Sequence, residues 1–217
     1  MRIGLLCFIL GLSFISCKNN TNPNGSGGST LPFYNSTDYT PEWISPNDKT
    51  YTDIHTIGDF EFTDHHGKRF SNENLDGKIY VADFFFTSCP TICPKLTLSM
   101  ERLQNKFIDD EDFQLISHTV MPWKDSVPVL NQYAENMEVN YEKWKLLTGD
   151  EDIIYTLARK SYFADEKFGF NDDETDFLHT DKFILVDKKR RIRGIYTGLI
   201  EEDILRLEED INILLEE

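Results

Sequence analysis

Apolar residues follow two different periods along the chain, and the change from one to the other marks its elements. Residues 78–87 read Lys-Ile-Tyr-Val-Ala-Asp-Phe-Phe-Phe-Thr, a nearly unbroken apolar run of strand length that suits a central strand covered on both faces. From Pro90 the period becomes helical, with Leu96, Leu98, Leu103 and Phe107 continuing it to about Ile108. The pattern then predicts a strand over 113–120, a helix over 126–136, a strand over 144–147 and a helix over 150–163. An acidic insertion over 164–176 precedes a hairpin over 182–197 that turns at Asp187-Lys188-Lys189-Arg190. A last helix from Ile200 carries Ile204, Leu207, Ile211 and Leu214 on one stripe and acids on the other. Upstream, 55–75 alternates through Ile57, Phe60, Phe62 and Phe70 as a hairpin whose polar turn includes His65 and His66. Adjacent side chains on an extended segment point to opposite faces, so these two histidines are expected to be solvated turn residues rather than a metal pair.

Strand-helix-strand-helix units, a hairpin and a closing helix define an α/β fold. The expected arrangement is a thioredoxin-like mixed sheet with helices on both faces and an N-terminal β-hairpin extension, occupying residues 55–217. The chain has 217 residues, a size that suits one such domain plus appendages. Its 22 basic residues against 38 acidic ones give a formal charge of −16, which argues against nucleic acid or anionic lipid headgroups as partners.

The appendages are N-terminal. Residues 1–16 place Arg2 before an apolar run from Ile3 to Ile15, too short for the ~20 residues of a membrane-spanning helix but suited to a secretory signal. The run ends in Phe14-Ile15-Ser16-Cys17, which resembles a bacterial lipobox, so Cys17 is the expected lipid attachment and Cys7 is discarded with the signal. Residues 17–54 then comprise the anchor cysteine, a Gly/Ser/Asn tether without apolar content, and an extended arm rich in Pro and Tyr. These features lead to the expectation of a domain on the extracytoplasmic, periplasmic side, lipid-anchored to a bacterial membrane.

The remaining cysteines form Cys89-Pro90-Thr91-Ile92-Cys93 between the central strand and its helix. On a helix, positions i and i+4 share a face, so both thiols are expected to converge at a helix N-terminus that favours thiolate. The pair could act as nucleophiles or as soft-metal ligands. A third ligand candidate, His179, stands just before the first hairpin strand, where thioredoxins place a cis-proline. Two thiolates and an imidazole suit copper: sulfur selects Cu(I), and imidazole retains Cu(II). Met100 and Met121 are expected to fill space rather than bind metal, and His118 to lie in the core or on a sheet face.

The segment Val81-Ala82-Asp83-Phe84-Phe85-Phe86-Thr87-Ser88-Cys89-Pro90-Thr91-Ile92-Cys93-Pro94 carries a specific resemblance. Together with Ser117-His118-Thr119-Val120, residues 144–149, and His179 before Phe183-Ile184-Leu185-Val186-Asp187, it makes residues 55–217 similar to the Sco/SenC family of copper-binding, thioredoxin-like proteins. The resemblance implies copper on Cys89, Cys93 and His179. It also implies a metallochaperone aiding assembly of the CuA centre of a haem-copper (cytochrome c) oxidase, with the CuA-carrying subunit as partner. Other copper donors or thiol-disulfide proteins are further candidate partners. Two departures from the family pattern are Met121-Pro122, where many members carry Asp-Pro and this chain keeps only Asp125, and Leu178, where many carry an acid. The alternative to a chaperone is an enzyme, a thiol-disulfide oxidoreductase in which Cys89 attacks and Cys93 resolves to keep partner cysteines reduced. A peroxidase reading finds no further constellation to support it.

Overall fold

A computed structural model of the chain describes residues 30–164 and 180–217. The expected signal, Cys17, most of the tether, nearly all of the acidic insertion and His179 therefore lie outside the described residues. The predicted apolar run becomes β5 (Ile79–Phe85), in which every residue is buried. It pairs in parallel with β6 (Phe113–Thr119), which pairs in parallel with β7 (Trp144–Thr148). On its other side β5 runs antiparallel to β8 (Lys182–Val186), which forms a hairpin with β9 (Ile192–Thr197). The N-terminal hairpin, β3 (Glu61–Asp64) with β4 (Arg69–Ser71), joins the far edge through β7, giving the order β4-β3-β7-β6-β5-β8-β9.

The alternation of side chains along β5 divides the core in two. Ile79, Val81 and Phe85 face α1 (Cys93–Lys106), α2 (Val127–Asn136) and α4 (Glu201–Glu216), packing with Leu96, Met100, Leu103, Leu130, Leu207 and Ile211. Tyr80, Ala82 and Phe84 face the other layer, where Ile154, Leu157 and Ala158 of α3 (Glu151–Lys160) meet Phe60, Phe62 and Phe70 of the hairpin. This is the expected thioredoxin-like mixed sheet with helices on both faces. Met100 is a core residue with no exposure. Gly198 allows the loop after β9 to press on α1, since a Cβ there would sit 2.7 Å from Leu96 Cδ2.

Ahead of the hairpin, the arm contributes a two-stranded sheet, β1 (Phe33–Tyr34) with β2 (Pro41–Glu42), and buries Leu31 and Phe33. Arg193 ties it down. Its guanidinium donates to the carbonyls of Leu31 and Pro32 at 2.9 and 3.1 Å and lies 4.5 Å from the Phe33 ring centroid. The arm therefore meets the domain at the β9 edge.

His65 differs from expectation. It is 1% exposed, and its Nδ1 accepts the Leu146 N–H at 3.1 Å, whereas His66 is exposed and stacks on Tyr141. The turn directs one imidazole into β7, where a backbone donor satisfies it; burial then lowers its pKa to about 4. His118 is in the core, as expected. It is fully buried among the rings of Phe60, Phe62, Phe84 and Tyr162, and neither ring nitrogen has a hydrogen-bond partner among the described residues.

Burial pushes the His118 pKa down to about 3. The unfolded chain, with an ordinary histidine, therefore binds more protons between about pH 6.5 and 3, and this group removes stability as pH falls through that window. His118→Phe should gain on wild type by up to about 1.4 kcal/mol per pH unit below 6.5. Urea unfolding at pH 7 and pH 5 measures this; a difference that stays constant with pH would contradict it.

Candidate metal and thiol site

After Phe85 the chain leaves the sheet and turns, the Cys89 N–H donating to the Phe86 carbonyl at 3.3 Å. The helix begins later than the spacing predicts. Cys93, not Pro90, is the first residue of α1, and residues 90–92 form a bend. Pro90 disfavours helical dihedrals at Cys89, while Pro94 takes the early helical position that suits proline. The two sulfurs nonetheless converge. The first amides of a helix lack internal acceptors, and here the Cys93 N–H donates to Cys89 Sγ at 3.4 Å. Cys89 thus lies outside the helix and caps it.

Both residues are free thiols and almost covered, 8% and 6% exposed, yet their acidities diverge. Burial alone would raise the Cys89 pKa. The backbone amides of Cys93, Thr91 and Ile92, together with the Cys93 thiol, outweigh that cost and hold it below the ordinary thiol value. Cys93 is pushed up to about 12, first by burial and then by the neighbouring Cys89 sulfur and by the charge of Asp83. The pair is therefore one thiolate-prone sulfur in a loop and one protonated sulfur on a helix.

Beneath the pair lies a polar cluster. The Cys93 carbonyl accepts the Thr97 hydroxyl at 2.8 Å, and Thr97 Oγ1 lies 2.7 Å from Tyr133 Oη. Asp83, on the same face of β5 as Val81 and Phe85, accepts from the Ser117 hydroxyl, which in turn accepts Trp144 Nε1–H at 2.8 Å. Burial raises the Asp83 pKa to about 7. Sequence reasoning did not single out Asp83, although a lone acid within an apolar strand was the available signal.

Among the described residues no three His, Cys, Asp or Glu side chains are grouped to hold a metal ion. The thiol pair supplies two soft donors. The third expected ligand, His179, lies outside the described residues, but the register has a bearing on it. Ala82 pairs with Ile184, so the antiparallel β8 starts beside the C-terminal end of β5, where the cysteine loop begins. β8 therefore enters the sheet at Lys182, beside the end of β5.

Fold and site together define a thioredoxin-like protein whose central strand delivers two reduced cysteines to the start of a helix. A family model described as SCO1/SenC matches residues 48–214, and the chain belongs to that family. It is 34% identical over 142 residues to the SCO1 protein homolog of Bacillus subtilis (strain 168), covering 64% of this chain and 72% of that protein. The solved structure of BsSco, described as a member of the Sco family of cytochrome c oxidase assembly proteins with a disulfide switch, is similar with a TM-score of 0.62. Its identity is 30%, over 75% of this chain and 94% of BsSco. Yeast Sco1 with copper bound has a TM-score of 0.53 at 25% identity, over 73% of this chain and 89% of that one.

The difference in acidity predicts selective chemistry. In the reduced protein at pH 7.5, about one unit below an ordinary thiol pKa, iodoacetamide should modify Cys89 well before Cys93. Peptide mass mapping over a time course reads the order; equal labelling of the two would show that the amides do not favour the Cys89 thiolate.

Proposed function

We propose that the protein is a copper metallochaperone: it carries copper on Cys89, Cys93 and His179 and passes it to the CuA centre of a cytochrome c oxidase. The observation that carries this reading is the N–H···S contact of 3.4 Å, which holds two reduced sulfurs together at the end of the central strand. Two thiolates and an imidazole form a donor set suited to Cu(I) and Cu(II), and copper is here the cargo rather than a resident cofactor. Copper bound to yeast Sco1 and the oxidase-assembly description of BsSco support extending the reading to this chain. Titrating the reduced protein with copper should give one ion per chain. Cys89→Ser and Cys93→Ser should nearly abolish binding, and His179→Ala should weaken Cu(II) retention more than Cu(I).

The acidity split supports a second reading as a thiol-disulfide oxidoreductase. The Cys89 thiolate would attack a partner's disulfide and release one partner thiolate, and Cys93, on losing its proton, would then close the internal disulfide and free the second. The partner gains two electrons, and the chain is left oxidised. Cellular rescue separates the two. A deletion strain should show lowered oxidase activity that added copper restores. Restoration by a thiol reductant but not by copper would favour the oxidoreductase.

We further propose that the mature chain starts at a lipid-modified Cys17 and sits on the extracytoplasmic side of a bacterial membrane. The short apolar run ending at Ser16-Cys17 and the polar tether after it support this. Cys17→Ser should move the protein from the membrane pellet to the soluble fraction; retention of the variant in the pellet would refute the anchor.

A further inference from the structure

Asp125 follows β6 by six residues and its side chain is fully buried, yet no Lys, Arg or His is paired with it among the described residues. A carboxylate out of water is costly unless hydrogen bonds replace its hydration, and the donors here all come from two places. Oδ2 accepts the Thr87 N–H at 3.1 Å and the Thr119 hydroxyl at 2.5 Å, while Oδ1 accepts the Thr87 hydroxyl at 2.5 Å. Thr119 is the last residue of β6, and its own oxygen accepts the Met121 N–H at 3.1 Å. Lys124 and Asp125 donate their N–H groups to the Met121 carbonyl at 2.8 and 2.9 Å, closing the turn that brings the carboxylate back to the strand end. Thr87 stands two residues before Cys89, in the turn that delivers the thiol.

We infer that Asp125 is a positioning residue of the thiol site, clamping Thr87 to the end of β6 and so fixing where Cys89 presents its sulfur. The geometry explains how a loop residue keeps a defined place beside α1. Turning from β5 toward α1, the chain has the Phe86 carbonyl and the Cys93 amide as backbone partners of Cys89, and the carboxylate holds the residue in between by both its amide and its hydroxyl. The inference rests on the reading of Cys89 and Cys93 as the working site.

Thr87 is half-buried, and Thr87→Val removes its hydroxyl donor at nearly constant shape while leaving the amide bond. The reduced protein, Thr87→Val, Thr87→Ser and Asp125→Asn are compared in two assays: the rate of Cys89 alkylation by iodoacetamide at one fixed pH, and Cu(I) affinity by competition with a chromophoric chelator. Thr87→Val and Asp125→Asn should both slow alkylation and weaken Cu(I) binding by about 10- to 100-fold, and Thr87→Ser should stay within about threefold of wild type. A Thr87→Val protein that keeps the wild-type circular dichroism and urea midpoint and stays within about twofold in both assays would overturn the clamp. So would a Thr87→Ser protein as impaired as Thr87→Val. If Asp125→Asn does not fold, the Thr87 pair decides. If wild type binds no Cu(I) but Thr87→Val still slows alkylation, the clamp stands and the copper reading falls.

Discussion

The amide of Cys93 needs an acceptor, and the nearest one is the sulfur of Cys89. That constraint organises the site. A helix that starts near the end of a buried strand exposes its first N–H groups where water has little access, and leaving them unpaired would be costly. The chain between Phe85 and Cys93 is long enough to bend back, so the Cys89 sulfur, three residues ahead of the N-cap Ile92, accepts the first helical amide. One interaction thereby caps α1, stabilises negative charge on Cys89 and holds the two sulfurs together.

The surroundings of that contact divide by face. On the side of α1 and α4 the strand places Asp83 beneath the thiols, where its charge acts with burial to keep Cys93 protonated. The opposite side of the same sheet is packed with aliphatic and aromatic side chains and holds His118 without a hydrogen-bond partner among the described residues. Polar groups under the site are linked in pairs, Asp83 to Ser117, Ser117 to Trp144, and Thr97 to Tyr133, so their desolvation is offset by hydrogen bonds. Function and core therefore share one layer, while the other layer serves packing.

The elements from β5 to α4 were legible because each has an undiluted period: β5 is apolar throughout, and Ile204, Leu207 and Ile211 repeat around one stripe. The cysteine pair was legible for the same local reason, two sulfurs within five residues after a strand. Where the reading of His65 and Asp83 fell short, the deciding partner was remote in sequence. His65 is buried where the Leu146 amide, 81 positions away, donates to its Nδ1. The helix start moved from Pro90 to Cys93 because two prolines competed and the better-placed Pro94 prevailed. Asp83 looked like an interruption of a strand, and its role depends on Ser117 of the parallel neighbour.

Two adjacent thiols cannot both ionise easily, because the first thiolate raises the pKa of the second. Here the loop sulfur is thiolate-prone and the helix sulfur is held protonated, with its pKa pushed up to about 12. A soft cation arriving at neutral pH therefore finds one ready ligand and must displace a proton to gain the second. On the carrier reading, the proton would compete with the metal at Cys93, and protonation of Cys93 would assist release. A disulfide partner meets the same asymmetry, with a nucleophile ready at Cys89 and a resolving thiol that reacts after losing its proton. The two proposed readings thus draw on one electrostatic arrangement, and they diverge in what approaches the loop that Thr87 and Asp125 hold in place.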